Sequence, residues 1–372
     1  MVSGAVNTDV FVAGCGPAGL AAAIAARLKG LAVAAADSAR PPIDKACGEG
    51  LMPEGVAALE QLGIPIASAD SFPLRGIRFT GCGASVRAPF PQGCGFGVRR
   101  TTLHRILTER AAELGVSIFW GARVQGSASG AISIDGRPVR TQWIVGADGQ
   151  NSQMRRWAGL ELRRQPRRRF GFRRHFHIKS WTDDVEVLWG ERCQIFVAPV
   201  TSGEVCAALI SRHRHVRLIE ELSFFPELAD RLRNARPALS ERGALTVNRR
   251  LRKVTRGRTA LVGDASGSVD AVTGLGLSLA FQQAICLAEA LAKDDLAIYQ
   301  VAHRRISRIP AFMARLMLHM DKSASIRRRA LQGLAAEPLI FSRLLALHVG
   351  ALPPSAFEAR SVLSLGWRLL RA

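Results

Sequence analysis

Thr8 to Gly19, TDVFVAGCGPAG, restricts this chain more than any other stretch. The apolar run Val10 to Ala13 feeds without a spacer into Gly14-x-Gly16-x-x-Gly19, and an alanine-rich helical pattern continues from Leu20 to Leu28. A strand that ends in glycines and restarts as a helix opens a βαβ unit. Gly14 permits the tight turn, Gly16 leaves no Cβ between the backbone and a pyrophosphate, and Gly19 lets helix and strand pack closely. Pro17 and Ala18 belong to the same turn, where the free N–H groups of the helix start point at phosphates. A second apolar run, Leu31 to Ala36, ends at Asp37. That carboxylate lies 23 residues after Gly14, near the spacing at which an acid meets an adenosine ribose. The stretch reads as a dinucleotide site.

The 372 residues, 48% of them apolar, suffice for about two globular domains. No run of 18 apolar residues occurs, and the N-terminus lacks a basic segment followed by an apolar one. A cytoplasmic protein is expected, with a peripheral membrane location as the variant. Seven scattered cysteines without a CxxC fit a reducing compartment and exclude a disulfide framework. The net charge of +21 is carried mostly by arginine, densest at Arg163 to Arg174, where seven of twelve residues are Arg. Such a field attracts an acidic carrier protein or an anionic membrane surface; a solvated arginine-rich face is the alternative. No nucleic-acid module is present, so no specific nucleic-acid partner is expected.

Along the chain, a Pro-Pro loop follows Asp37 and brings Lys45, Cys47, Gly48 and Glu49 to the carboxyl end of a parallel strand, where ligand crevices form. Pro53 to Leu62 is helical, and residues 74 to 90 read as a hairpin. Thr101 or Thr102 is placed to cap a helix ended by Gly115. A strand-like run, residues 116 to 124, closes on Val124, and Asp135-Gly136 is a two-residue hairpin turn. Trp143 to Val145 is a buried strand leading into Gly146-Ala147-Asp148-Gly149. Residues 160 to 250 form short β-rich runs of an antiparallel sheet. Another buried strand, 258 to 262, precedes Gly263-Asp264, and Gly274 to Leu277 opens a helix through Leu291. The remainder is helical and basic. Within it Leu339 to Leu352, interrupted by Arg343 and His348, suits a lipophilic cover. His175-x-His177 and His213-x-His215 put imidazoles on strand faces, but no metal site is expected without a carboxylate or cysteine beside them. No GxSxG elbow supports a serine hydrolase.

Three separated strings, GCGPAG at 14–19, GADGQNS at 146–152 and GDASGSVDAVTGLGL at 263–277, together resemble FAD-dependent oxidoreductases of the p-hydroxybenzoate hydroxylase type. DKACGEGLMPEG and VDAVTGLGL are similar to the geranylgeranyl reductase-like branch, although Leu275 stands where that branch often has Glu and Asp37 where many relatives have Glu. The resemblance implies an α/β fold: a Rossmann-like FAD-binding domain, an antiparallel-sheet substrate domain and a helical C-terminal segment. FAD-binding parts at 1–73, 97–160 and 255–294 would enclose a hairpin at 74–96 and a substrate domain at 161–254, followed by the helical segment at 295–372. It also implies that Gly14, Gly16 and Gly19 hold the pyrophosphate, Asp37 the ribose, and Arg100 the phosphate or ribityl region. Asp148 and Gly149 would order the pyrophosphate region, and Asp264 would accept from a ribityl hydroxyl. Gly274, Gly276 and Leu277 would aim helix N–H groups at the flavin, with Lys45, Gly48 and Val124 around it. Cys47 would sit beside the ring as a proton donor, or as an inert pocket wall.

The cofactors implied are FAD and NAD(P)H, the latter visiting the same cleft because no second nucleotide fold is visible. Two chemistries remain. The leading expectation is a monooxygenase hydroxylating a lipophilic aromatic or polyketide-like substrate through a flavin hydroperoxide. The alternative is reduction of a carbon–carbon double bond of an isoprenoid. A flavoprotein acting on a carrier-bound substrate is a further alternative. The WxWxIP string of halogenating relatives is absent.

Overall fold

A computed structural model describes residues 4–126, 131–161, 168–238 and 240–353. The opening motif forms as its pattern dictates. Strand β1 (Val6–Ala13) and helix α1 (Pro17–Leu28) are joined by the glycine turn, and β2 (Val33–Asp37) lies parallel to β1. Gly14 has φ +103°, and a Cβ there would meet the Ala147 carbonyl oxygen at 2.5 Å. At Gly19 a Cβ would fall 1.8 Å from the Gly14 carbonyl, so only glycine lets α1 approach β1 this closely.

Next come β3 (Gly50–Leu51), α2 (Pro53–Gln61), β4 (Phe72–Leu74), β5 (Gly76–Gly81), β6 (Ala84–Pro89) and β7 (Gly95–Gly97). The expected hairpin is β5–β6, turning at Cys82-Gly83. Helix α3 (Arg100–Glu113) precedes β8 (Ser117–Trp120), β9 (Val124–Gly126), β10 (Ile132–Ile134) and β11 (Arg137–Gly146). Asp135 and Gly136, with φ of 48° and 81°, make the two-residue turn between β10 and β11. Neither Thr101 nor Thr102 caps α3. The N-cap is Arg99, two residues before Thr101 and without a side-chain cap, and the carboxylate of Glu49 accepts from the Arg100 N–H instead.

After α4 (Gln153–Trp157) come the long strands β12 (Arg168–His177), β13 (Asp184–Trp189), β14 (Cys193–Thr201) and β15 (Glu204–Ser211). Two short helices, α5 (Leu218–Glu221) and α6 (Pro226–Leu232), lead to β16 (Arg236–Pro237) and β17 (Arg242–Val247). Short β18 (Arg249–Arg250) and β19 (Thr255–Arg256) precede β20 (Thr259–Leu261). Helices α7 (Gly276–Ala292), α8 (Leu296–Lys322), α9 (Ala324–Ala336) and α10 (Pro338–His348) complete the described chain. Helix α7 begins at Gly276, not Gly274. Asp270 caps a tight turn over 271–273, and Gly274 then reverses the chain at φ +69°.

Two eight-stranded sheets result. The first has a parallel core in the order β8-β2-β1-β11-β20. Helices α1, α3 and α7 bury one face of it around Leu20, Ile24, Leu107 and Phe281. Each such side chain contributes ~1.5–3 kcal/mol by leaving water. The second sheet runs β16-β12-β15-β14-β13-β5-β6, with β17 on β12; all its neighbours are antiparallel except β5 and β13. The final helices cover this sheet, where Met317, Met320, Leu334 and Phe341 pack against Ile77, Val185 and Val187. Buried polar groups pin α8 there through Asp321: Arg169, which also bonds Asp270 at 2.6 Å, pairs with it at 3.4 Å, while Gln194 and Arg212 reach it at 2.7 and 3.1 Å. Arg169 and Arg173 thus leave the arginine run for the interior; Arg163, Arg164 and Arg167 fall outside the described residues. On α8 the exposed residues Val301, Arg305, Arg308, Phe312, Arg315, His319 and Lys322 follow a 3–4 spacing along one face, and the helix's one acid, Asp321, is buried.

Candidate active site

A cavity of about 920 Å³ opens where the parallel strands end. Gly14, Gly16, Pro17, Ala18, Asp37, Lys45, Cys47, Gly48, Arg100, Val124, Asp148, Gly149, Asp264, Gly274, Gly276 and Leu277 all line it. Of the residues expected at the site, only Gly19 stands outside the lining, in its packing role against Gly14.

The lining suits a flat, phosphate-bearing ligand. A Cβ at Gly16, Gly48, Gly149 or Gly276 would meet no protein atom within 4 Å, so these glycines face open space. Asp37 accepts from the N–H groups of Cys15 at 2.7 Å and Ala39 at 2.8 Å, which fixes its carboxylate at the end of β2. Arg99 is committed to Glu204, whereas Arg100 borders the cavity with its Nε buried and unmet. Asp148 caps α4 through one oxygen, accepting from Gln153 N–H at 2.6 Å and Met154 N–H at 3.0 Å. Its other oxygen is buried without a partner. Lys45 and Asp264 form an ion pair at 3.7 Å that is half open to solvent. These unmet polar atoms and open glycines fit a dinucleotide cofactor.

The loop bearing Cys47 is held by Glu49. This residue has φ +59°, and its carboxylate is wholly buried. It accepts from Arg173 at 2.6 Å, from His175 Nε2 at 2.5 Å and from the Arg100 backbone at 3.0 Å. Arg173 also grips Asp44 at 2.9 and 3.1 Å. Burial raises the Asp44 carboxyl, but the hydrogen bond and charge of Arg173, with Arg242, outweigh it and hold the group below its usual value. Cys47 is half-buried; its Sγ accepts from the Glu49 N–H at 3.4 Å, and its carbonyl faces the Cys206 thiol at 3.8 Å. Burial, then the Glu49 charge, pushes that thiol far up, so Cys206 is inert.

The histidine pairs divide. His175 is buried on Glu49, while His177, His213 and His215 are exposed. Contrary to the sequence expectation, a carboxylate and a cysteine do stand beside His175: Glu49, His175 and Cys206 bring donor atoms within 4.8 Å of one another. The Arg173 guanidinium on the same carboxylate opposes a divalent cation there. Sequence reading also missed Arg155. Fully buried, it bonds the carbonyls of Gln150 at 2.9 Å and Ala265 at 3.1 Å, tying two of the three glycine–aspartate strings together. Ala265 lies 110 residues from it along the chain, beyond any local signal.

Away from the glycines, the cavity wall is mostly apolar. Ile77, Phe79, Val187, Phe196 and Leu209 come from the antiparallel sheet; Met313, Met317, Phe341, Leu344 and Leu345 come from α8 and α10. Leu275, which replaces the acid of the reductase-like branch, is buried among the apolar residues beside Met52 and Val272.

The FAD binding domain family matches residues 7–294. The chain belongs to that family. It is an FAD-dependent oxidoreductase. Among similar proteins, the menaquinone reductase of Mycobacterium tuberculosis is 28% identical over 78% of each chain. The 6-methylpretetramide 4-monooxygenase of Streptomyces rimosus is 27% identical over 92% of this chain and 93% of its own. The fold is shared with a geranylgeranyl bacteriochlorophyll reductase-like protein of Thermoplasma acidophilum, with TM-score 0.73 and 20% identity over 97% of this chain and 96% of that one.

Proposed function

We propose that this oxidoreductase uses NAD(P)H to saturate a carbon–carbon double bond of an isoprenoid lipid. The observation that carries the reading is a shared cavity: the Cys47 loop and the apolar wall of α8 and α10 border the same space. Bound flavin supplies hydride chemistry. Gly14, Gly16 and the start of α1 would hold the pyrophosphate, Asp37 the ribose, Arg100 and Asp148 the phosphate region, and Gly274 to Leu277 the ring edge. The apolar wall would exclude water and hold the chain beside the glycine-lined part of the cavity. With flavin bound, one alkene carbon held by this wall would be the acceptor for hydride drawn from NAD(P)H. The Cys47 thiol gives a proton to the other carbon and is reprotonated from solvent.

Similarity to the monooxygenase over nearly the whole chain favours a second reading, hydroxylation of a polyketide-like aromatic ring. Oxygen separates the two. The FAD-loaded protein, reduced anaerobically by NADPH and given geranylgeraniol, should yield a product two hydrogens heavier. A product that appears only after oxygen is admitted, one oxygen heavier, would replace the reductase reading with the hydroxylase.

A further inference from the structure

We infer that His348 is a hydrogen-bond acceptor for a hydroxyl group of the substrate; the inference rests on the cavity being the site of a lipophilic substrate. His348 ends α10, within the apolar run that its ring interrupts, and it lines the cavity while buried to 8% exposure. Its Nε2 lies 2.9 Å from the Thr273 carbonyl oxygen. A carbonyl only accepts, so Nε2 carries the hydrogen and Nδ1 is the bare lone pair. Burial pushes the imidazole down to about 4, against the opposing effect of the Thr273 bond, so the ring stays neutral near pH 7.

Nδ1 is buried and has no partner among the described groups. The other cavity residues on α10, Phe341, Leu344 and Leu345, have no side-chain donor to give it. A desolvated acceptor with nothing to accept from is rare in native structures, and at a cavity wall the natural donor is a ligand. The chemistry selects the class. An alcohol, phenol or hydroquinone donates to Nδ1, whereas a carboxylate, phosphate, ketone or ether brings only lone pairs. Thr273 immediately precedes the Gly274 turn, so the acceptor stands at the boundary between the glycine-lined and apolar parts of the cavity. A hydroxyl held there sets the register of the chain behind it and hence which bond lies at the reacting position.

The test is binding to the FAD-loaded protein of geranylgeraniol and of its O-methyl ether, followed by flavin fluorescence. The native chain should prefer the alcohol by about tenfold, the value of one hydrogen bond. His348→Phe keeps the ring volume and removes the acceptor; it should bind both probes as the native chain binds the ether. Equal binding by the native chain overturns the role of His348 and leaves the cavity assignment standing. So does a variant that retains the preference, or one that weakens both probes alike. Binding of neither probe to the native protein overturns the cavity assignment itself. The native comparison stands alone should the variant fail to take up flavin.

Discussion

Glu49 shows how one side chain can organise a site. Its carboxylate is shared by Arg173, His175 and the start of α3, so the loop carrying Cys47 is tied to the antiparallel sheet and to the nucleotide half at once. Glu49→Gln leaves Arg173 with Asp44 alone and removes the acceptor charge from His175. A loss of about 3–5 kcal/mol is expected in urea unfolding, with weaker FAD retention. An unchanged midpoint would mean that the cluster adds nothing to loop position. Glu54 makes the opposite case. Both its carboxyl oxygens are buried without a partner, and burial raises the group to about 7. The folded state then holds a proton that the unfolded chain releases near pH 4.5, so stability should fall as pH rises from about 4.5 to 7. Glu54→Gln should flatten that slope and raise the melting temperature at pH 8 more than at pH 5. Sequence placed Glu49 in the right loop but not its partners, because Arg173 and His175 lie 124 and 126 residues away. The arginine run misled for a related reason: charge along a chain does not say which members find buried acids.

At the level of elements, the motif around α1 was legible because strand, turn and helix are contiguous and each glycine answers a local clash. Gly16 and Gly19 should separate experimentally. A Cβ at Gly16 meets nothing, so Gly16→Val should leave the apoprotein's melting temperature within a few degrees and abolish tight FAD uptake. Gly19→Ala drives a methyl into the Gly14 carbonyl and should destabilise the apoprotein itself. If both variants lost stability equally, Gly16 would be a packing residue and not a phosphate contact. The start of α3 was not legible. Local capping rules favour Thr101 or Thr102, but a carboxylate from another segment takes the position, and no window of neighbouring residues contains that fact. The helix at 276 was misjudged by two residues for a simpler cause: Asp270 adds its own turn ahead of it.

Over the whole molecule, one helix joins the apolar cavity wall to a basic outer face. Helix α8 turns Met313, Met317 and Met320 toward the cavity and sets arginines with Val301 and Phe312 on its outer face. That pattern fits an anionic lipid surface, from which a lipophilic substrate would come. The protein should float with phosphatidylglycerol vesicles but not with phosphatidylcholine ones, and release between roughly 0.05 and 0.5 M salt. Arg305→Glu with Arg308→Glu should weaken flotation more than tenfold. Salt-sensitive capture by an acidic protein without vesicle binding would assign the stripe to a protein partner instead. The three glycine–aspartate strings made this family legible at long range, since their order and separations survive even where no local pattern joins them. Helix α7 packs on α1, and β20 lies beside β11. On the ribosome, the first helix emerges long before its partner at 276–292, a wait of roughly 10–50 s at ordinary elongation speeds. The nascent nucleotide half must therefore stay incomplete until synthesis has passed Ala292.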